Sequence, residues 1–305
     1  MTFPRYHNIS LKKYCTYNIG GPAKELWIIH KQKQLLAALE EIFSQKKRYF
    51  LLGMGSNCLF DDRGFDGVII INRMRDIIVK DNSLIVDSGY PLTRLGQKAS
   101  KKGIKSLEFL IGIPGTVGGG IYMNAGCFQQ EIQDDLEWAE FIHENGEKII
   151  YPKQDLQFSY RFSIFHQWRG VILRGKFSIH NKKESQERSC DSLKTKKERQ
   201  PLKEKSCGCI FRNPPGMSAG HLIESLHLKG FSIGGARISS QHANFIINEN
   251  QATAKDILLI IYHVQHCVLE NYGIKLKTEC QYIPFQSSDR IDDDPRSILS
   301  RKKNI

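Results

Sequence analysis

The chain has 305 residues, of which 40% are hydrophobic and 25% are charged, a composition typical of a soluble globular protein. This length suggests two or three domains, and the composition excludes collagen-like, coiled-coil and wholly disordered chains. The formal net charge of +12 favours anionic partners, which include nucleic acids, membrane surfaces and phosphorylated metabolites, but does not choose among them.

The N-terminal region alternates strands with a helix. We predict a strand over Lys24–His30, a helix over Lys31–Ser44, where apolar residues recur at helical spacing, and a second strand over Tyr49–Leu52. From Gly67 onward short strand-like segments dominate, joined mostly by Gly, Asn or Asp turns and interrupted by one helix over Thr93–Lys102.

A polar segment then divides the chain. Asn181–Lys205 contains nine Lys or Arg and five Asp or Glu, so we predict a linker or a solvated helix rather than a binding patch. Beyond it we predict helices over Ala219–Ser225 and Ala254–Tyr272 and strands over Asn244–Ile247 and Lys275–Ile283. Thr253 and Gly273 are suitable caps for the longer helix.

Neither a membrane span nor a signal peptide is expected. The most apolar runs, near Val68 and Ile257, are far shorter than the ~20 residues that a span needs. The first residues lack the apolar core of a signal peptide, so a cytoplasmic location is predicted. Eight scattered cysteines then favour free thiols over a disulfide framework.

A metal site is not predicted. His263, His266 and Cys267 share one helical face and could in principle bind a metal ion, but a partly buried amphipathic helix is the favoured explanation. Cys207 and Cys209 are separated by one residue, a spacing that matches neither the CxxC of a redox pair nor the paired CxxC of a zinc site.

Two glycine-rich segments carry the strongest functional signal. The first glycine loop, Gly53–Asn57, follows a strand, and its glycines let the backbone approach a ligand while successive N–H groups hold a phosphate. It is not a Rossmann fingerprint, because Cys58 occupies the third glycine position and no helix follows.

The second glycine loop, Gly112–Gly126, has seven Gly or Ala among fifteen residues and no charge. Such a stretch can lie flat against a large ligand, although a tight interdomain turn would look the same. Together the two loops favour a cofactor that carries a pyrophosphate and a ring system.

Long ordered motifs then point to one family. From about Tyr14 to about Pro284 the chain resembles the UDP-N-acetylmuramate dehydrogenase family, whose members are also called UDP-N-acetylenolpyruvoylglucosamine reductases. The resemblance is carried, in order, by Cys15–Ala23, both glycine loops, Phe158–Ser163, Gly208–Pro214, Leu228–Ala236 and His242–Phe245.

The resemblance implies an α+β fold: an FAD-binding module of the vanillyl-alcohol oxidase (PCMH) type in two subdomains, plus an α+β substrate-binding domain of the compact type that lacks an extra loop. The implied bounds are 1–66 and 67–180 for the FAD subdomains, 181–205 for a polar linker, 206–285 for the substrate domain and 286–305 for a polar tail.

It also implies an activity in peptidoglycan precursor synthesis. NADPH reduces non-covalent FAD, which delivers a hydride to the enolpyruvyl ether of a UDP-sugar and gives UDP-N-acetylmuramate. No partner nucleic acid is expected.

Residue roles follow by motif. Arg161 would hold the substrate carboxylate, Glu279 would help to polarise it, and Cys209 would donate the proton, a thiol where most relatives carry Ser. Without the resemblance, Arg161 among aromatic residues would suit a surface cation–π contact, and Cys209 a small buried apolar position.

The remaining predicted site residues bind cofactor or substrate. The FAD set is Gly53, Gly55, Ser56, Asn57, Ile113, Pro114, Gly115, Thr116, Asn124, Ala125 and Gly126. The UDP-sugar set is Arg199, Asn213, Lys229 and His242. A side chain at Gly55 is expected to occupy the space of the FAD pyrophosphate.

Two alternatives remain open at this stage. Another flavin oxidase or dehydrogenase on the same fold explains the glycine loops but not Gly208–Pro214 or Leu228–Ala236. A basic nucleic-acid-binding protein fits the charge, but its usual basic stripe with interleaved aromatic residues is not apparent outside the polar linker.

Overall fold

The computed structural model describes residues 2–180 and 198–289. Most of the predicted linker and tail therefore lies outside the described residues. The chain forms two compact units, each built from separate segments. The first unit comprises residues 1–6, 25–54 and 67–196, and the second comprises residues 7–24, 55–66 and 197–305. The predicted three-part division stays a prediction.

Short strands make up much of the described chain. They are β1 Arg5–Ser10, β2 Pro22–Ile29, β3 Tyr49–Leu52, β4 Cys58–Phe60, β5 Phe65–Asn72, β6 Ile77–Lys80, β7 Ser83–Asp87, β8 Gly126–Cys127, β9 Gln130–Glu131, β10 Leu136–His143, β11 Lys148–Pro152, β12 Gly170–Ser178, β13 Ser232–Ile233, β14 Ala236–Ile238, β15 Ile246–Asn248 and β16 Gln281–Ile283.

The α-helices are α1 Gln32–Ser44, α2 Leu92–Lys101, α3 Val117–Met123, α4 Ile132–Asp135, α5 Ala219–Ser225 and α6 Ala254–Tyr272. Short 3₁₀ helices cover Lys12–Tyr14, Lys105–Gly112, Lys153–Leu156, Ile164–His166 and Ser287–Asp289.

Helix α1 and strand β3 confirm the predicted elements of the N-terminal region. Leu35, Ala38, Leu39 and Ile42 recur at the i, i+3, i+4, i+7 spacing of an amphipathic helix, and all four are buried. They pack in a core with residues of β2 and β5. Strand β3 pairs in parallel with β5, from Tyr49 opposite Val68 onward.

The larger sheet of the first unit has the order β11-β10-β12-β7-β6, and each neighbouring pair is antiparallel. Helices α2 and α3 and the 3₁₀ segment Lys105–Gly112 contribute side chains to the core on this sheet, among them Leu95, Leu110 and Ile121. This packing fixes the second glycine loop, which runs into and out of α3.

In the second unit, β16 pairs in parallel with β4, and β13-β14-β15 form a small antiparallel sheet. Helix α6 has the predicted bounds and caps: Thr253 accepts from Asp256 N, and Gly273 has a left-handed backbone. Asp62 adds a cap, accepting from Ala254 N at 2.8 Å.

The last predicted strand, Lys275–Ile283, is wrong in its first part. Only β16 is a strand there, and the preceding residues make one isolated bridge, Phe211 opposite Thr278. Strand β15 likewise begins two residues later than predicted, at Ile246.

In the described ranges 2–180 and 198–289, none of the helices has the length and apolar character that crossing a membrane requires. Among these residues, His, Cys, Asp and Glu side chains also form no group of three that could hold a metal ion. His263 and Cys267 do lie 3.7 Å apart, as the helical spacing predicts.

Candidate functional site

The second glycine loop is fastened to the segment that leads into α2. Gly115 O accepts from Leu92 N at 3.0 Å, and Ile113 O accepts from the Thr93 hydroxyl at 3.2 Å. Val117 N donates to Tyr90 O at 2.8 Å as α3 begins. The loop thus has a fixed backbone course although it is rich in glycine.

Gly53 and Thr116 bring the two glycine loops together within the first unit. A Cβ placed on Gly53 would lie 2.5 Å from Thr116 Oγ1, so only glycine permits this approach. Gly119 is exposed, and the nearest atom to a Cβ there would be the same Oγ1 at 3.7 Å. An exposed backbone surface of small residues with open space above it fits a flat cofactor.

The predicted reason for Gly55 is corrected by the structure. Gly55 has φ +64°, and a Cβ there would clash with Tyr14 O and lie 2.7 Å from Cys15 Cα. The second unit's own backbone therefore requires this glycine, whatever ligand binds nearby.

Arg161 lies in a tight turn of the first unit. Ser159 and Phe162 exchange two backbone hydrogen bonds of 3.2 and 3.1 Å, and Arg161 between them has φ +56°. This left-handed conformation is uncommon for a side-chain-bearing residue and marks a position that its surroundings hold in place. The guanidinium Nη2 donates to Gly126 O at 3.0 Å, which links the turn to the second glycine loop.

Asn124, predicted to bind cofactor, has a side chain that bonds to protein, and its cofactor role stays a prediction. It is fully buried, and its amide nitrogen donates to Glu131 Oε2 at 2.7 Å and Ser159 O at 3.0 Å. Its amide oxygen accepts from Gln133 N at 3.1 Å. The side chain therefore joins the glycine loop to the Arg161 turn.

Cys209 and Glu279 come together in the second unit. Glu279 N donates to Ile210 O at 2.7 Å, so the two residues lie on adjacent backbone segments. Asn244 braces the first of these segments, since its side chain exchanges two 2.9 Å hydrogen bonds with the Phe211 backbone. Cys209 is half-buried, and a Cβ on the preceding Gly208 would meet no described atom within 4 Å.

Asn57, another predicted cofactor ligand, donates from Nδ2 to Glu279 O at 3.0 Å. The end of the first glycine loop is thereby fixed to the segment that carries Glu279. Ser56, its half-buried neighbour, belongs to the same unit.

The predicted substrate residues surround α5. Asn213 Oδ1 accepts from Ala219 N at 3.0 Å, where this helix begins. A Cβ on Gly220 would lie 3.4 Å from the His242 ring. Lys229 donates to Glu224 near the end of the helix, at 2.5 Å. The second unit therefore collects these three residues around one short helix.

His242 is held as a neutral ring. Burial lowers its pKa, and the nearby positive charge of Lys229 lowers it further. Asn244 N donates to His242 Nδ1 at 3.2 Å, which leaves the ring proton on Nε2. His242 therefore offers a neutral donor rather than a positive charge.

Arg199 is exposed. Its neighbour Glu198 contacts the segment that carries His242, because Glu198 O accepts from Gln241 Nε2 at 2.6 Å.

The predicted site residues are divided between the two units. The first unit contains Arg161, Gly53 and residues 113–126, and the second contains Gly55–Asn57, Cys209, Glu279 and the substrate set.

Sequence reasoning missed Glu131, Asn244 and Glu224, the polar partners of Arg161, Phe211 and Lys229. Asn244 stands in a motif that carries the resemblance, which was an available signal. Glu131 and Glu224 show nothing in the sequence that sets them apart from surface carboxylates.

Comparisons with known proteins bear on both units. Residues 200–283 match the family model described as UDP-N-acetylenolpyruvoylglucosamine reductase, C-terminal domain, and residues 25–150 match FAD binding domain. The UDP-N-acetylenolpyruvoylglucosamine reductase of Chlamydia abortus is 40% identical over 92% of this chain and 94% of that protein. The chain belongs to this family.

Other relatives agree. The enzyme of the same name from Caldanaerobacter subterraneus is 36% identical over 91% of this chain and 93% of that protein. The crystal structure of UDP-N-acetylenolpyruvylglucosamine reductase from Thermus caldophilus is 36% identical, with a TM-score of 0.78, over 93% of this chain and all of that one.

Family membership confirms the predicted α+β flavoprotein fold and the predicted activity. The chain is an FAD-dependent oxidoreductase of peptidoglycan precursor synthesis, and NADPH is its hydride donor. The residues present fit FAD, because Gly119 is exposed and a Cβ there would have Thr116 Oγ1 as its nearest neighbour at 3.7 Å, which leaves this backbone open to a flat ligand.

Proposed function

We propose that Cys209, Glu279 and Arg161 perform the second half of the reaction, the reduction of the enolpyruvyl ether. The observation that carries this proposal is the pairing of the Cys209 and Glu279 segments through the 2.7 Å bond from Glu279 N to Ile210 O. It fixes an acid and a carboxyl group on neighbouring backbone.

The chemistry explains why these side chains are needed. FAD, when bound, would supply the substrate double bond with the hydride that NADPH provides. Addition of that hydride to the methylene carbon leaves negative charge on the adjacent carbon and its carboxylate. A site for this reaction must stabilise the charge and then protonate the carbon.

Each residue then has one task. Arg161 binds the carboxylate with a planar, permanently charged fork, and Glu279 polarises the same group. Cys209 gives a proton to the carbon, since a thiol acts as a general acid more readily than an alcohol does.

Substrate anchoring falls to the residues around α5, with FAD held by the glycine loops. Lys229 is already paired with Glu224, and the UDP pyrophosphate would replace that carboxylate. His242 donates from Nε2, and Asn213 and Arg199 complete the set.

We also propose that the protein works in the cytoplasm, because nucleotide sugars and NADPH are available there.

Separate measurement of the two half-reactions tests the proposal. Arg161→Lys keeps the charge but loses the fork, so NADPH should bleach the flavin at the normal rate. Reoxidation by the enolpyruvyl UDP-sugar should slow by roughly 10²-fold, the cost of a misplaced substrate group. Stopped-flow absorbance follows both steps. Equal slowing of the two steps would contradict the assigned role of Arg161.

A further inference from the structure

Glu131 stands beside the Arg161 guanidinium in the first unit. Its Oε1 lies 3.8 Å from Arg161 Nη1, and both side chains are largely shielded, at 24% and 18% exposure. The family resemblance gave this residue no role.

The carboxylate of Glu131 is itself fixed. Its Oε2 accepts from Asn124 Nδ2 and from Gln133 Nε2, each at 2.7 Å. Two amide donors thus orient one oxygen, and the other oxygen faces the guanidinium. Charge-assisted bonds of this length restrict a side chain more than neutral ones do.

The same amide of Asn124 also reaches the Arg161 turn, through Ser159 O at 3.0 Å. Glu131 therefore connects to Arg161 along two routes, directly to the side chain and through Asn124 to the backbone. A third contact, from Arg161 Nη2 to Gly126 O, leaves the guanidinium with a defined plane.

We propose that Glu131 is a positioning residue that orients the Arg161 guanidinium for the carboxylate of the enolpyruvyl substrate. The inference rests on the proposed role of Arg161. A partly shielded ion pair contributes little to folding, so the expected effect of Glu131 is on orientation. Misplacing a binding group by about 1 Å can cost about 10²-fold in rate.

The test is Glu131→Gln in the full-length holoenzyme. This change keeps an oxygen for the amides of Asn124 and Gln133 but removes the charge that faces Arg161. We expect flavin reoxidation at saturating enolpyruvyl UDP-sugar to slow roughly 10–100-fold, with flavin reduction by NADPH unchanged. Binding of UDP, which lacks the carboxylate, to the oxidised enzyme should stay the same.

A double-mutant cycle gives a readout that a merely structural role would not move. In the Arg161→Lys background, Glu131→Gln should add less than about a threefold loss, because residues that act through one group are not additive. Glu137→Gln is the matched control: Glu137 pairs with Lys176 at 2.6 Å in the same unit, and its removal should leave both half-reactions intact.

The outcomes separate the two proposals. Normal reoxidation in Arg161→Lys overturns the role of Arg161, and with it that of Glu131. Two outcomes overturn only the role of Glu131. In the first, reoxidation is slow in Arg161→Lys but normal in Glu131→Gln. In the second, Glu131→Gln slows reoxidation as much in the Arg161→Lys background as it does alone. If Glu131→Gln loses FAD or has a lowered melting temperature, Glu131→Asp replaces it, because this variant keeps the charge. Its flavin should be reoxidised at the normal rate, or with a partial loss that disappears in the Arg161→Lys background. Any other result for Glu131→Asp overturns the role of Glu131.

Discussion

At the scale of single residues, the seven thiols in the described ranges divide into buried and half-buried ones. Cys15, Cys58, Cys207 and Cys280 are buried in the second unit. Burial raises the pKa of Cys58 to about 12 and that of Cys15 above its usual value. A hydrogen bond with Cys207, together with burial, raises the pKa of Cys280. The raised pKa values make Cys15, Cys58 and Cys280 poor nucleophiles, because the thiolate is the reactive form.

Cys209 should therefore react with alkylating reagents before these three buried thiols. Among the described residues it shares half-burial only with Cys127, whose thiol donates to Phe109 O at 3.1 Å, and Cys267, whose pKa is raised by burial. Cys209→Ala should retain reduction of FAD by NADPH but slow reoxidation by the substrate by roughly 10²–10⁴-fold, the value of general acid catalysis. Stopped-flow measurement of both steps checks this.

Cys209→Ser provides the control, since a hydroxyl in the same place should restore much of the rate. Iodoacetamide should mimic Cys209→Ala, and bound substrate should protect the thiol, with the labelled peptide identified by mass spectrometry. Unchanged turnover in Cys209→Ala would remove this residue from the mechanism.

His242 gives a prediction of pH dependence. Its pKa in the folded protein lies below the ordinary value of 6.5, so the unfolded chain binds the proton more readily. Stability should therefore fall as the pH drops from about 6.5 through the lowered folded pKa, as protonation of Nδ1 breaks the bond from Asn244 N. Above that range the contribution of His242 is constant.

His242→Gln should remove this part of the pH dependence. The measurement is the urea unfolding free energy of both proteins between pH 7.5 and pH 5, values chosen to span the ~6.5 reference pKa of His. The difference in unfolding free energy between variant and parent gives the contribution of His242 alone, because the other histidines are the same in both proteins. A parallel decline in the two proteins would show that His242 is not held neutral by the fold.

At the scale of elements, α3 allows a test of FAD placement that Gly55 does not. Gly119 lies in this helix without positive φ, and a side chain there would meet only Thr116 Oγ1 at ordinary contact distance. Gly119→Leu should leave the melting temperature unchanged or higher, since Gly costs about 0.8–1.0 kcal/mol in a helix. It should weaken FAD binding at least roughly tenfold, by filling the cofactor's space.

Titration of apoprotein with FAD, followed by flavin fluorescence, measures the effect. Ser100→Leu, at an exposed position of α2 away from both glycine loops in sequence, controls for an added apolar side chain. Normal FAD affinity in a folded Gly119→Leu protein would mean that the cofactor lies elsewhere.

Sequence patterns predicted elements well where the determinants are local. Thr253 and Gly273 were predicted to cap helix α6 from their residue types alone, and both do so. Lys275–Cys280 reads as a strand but is not one, because strand formation needs a partner and this stretch has a single bridge. Asn124 and Asn57 stay predicted cofactor ligands, but the bonds of their amides to protein that is remote in sequence were not predictable from local patterns.

At the scale of the whole molecule, motifs predicted the family but not the composition of the two units. Each unit gathers separate stretches of chain through contacts that local patterns do not encode. Asn248 Nδ2 donates to Tyr17 O across 231 residues, and Asn57 Nδ2 donates to Glu279 O across 222. The partners of Arg161 were missed for the same reason, since Glu131 becomes distinctive only when the turn is folded beside it.

The parallel pairing of β16 with β4 has a consequence for the order of events on the ribosome. Strand β4 is complete at Phe60, but its partner begins at Gln281. The described part of the first unit ends at residue 180, about 100 residues before that partner. At ~5–20 residues per second, synthesis of the ~220 residues from Phe60 to Gln281 takes about 11–44 s. During this interval β4 lacks its neighbour, and the nascent chain must keep this apolar strand from associating with other chains.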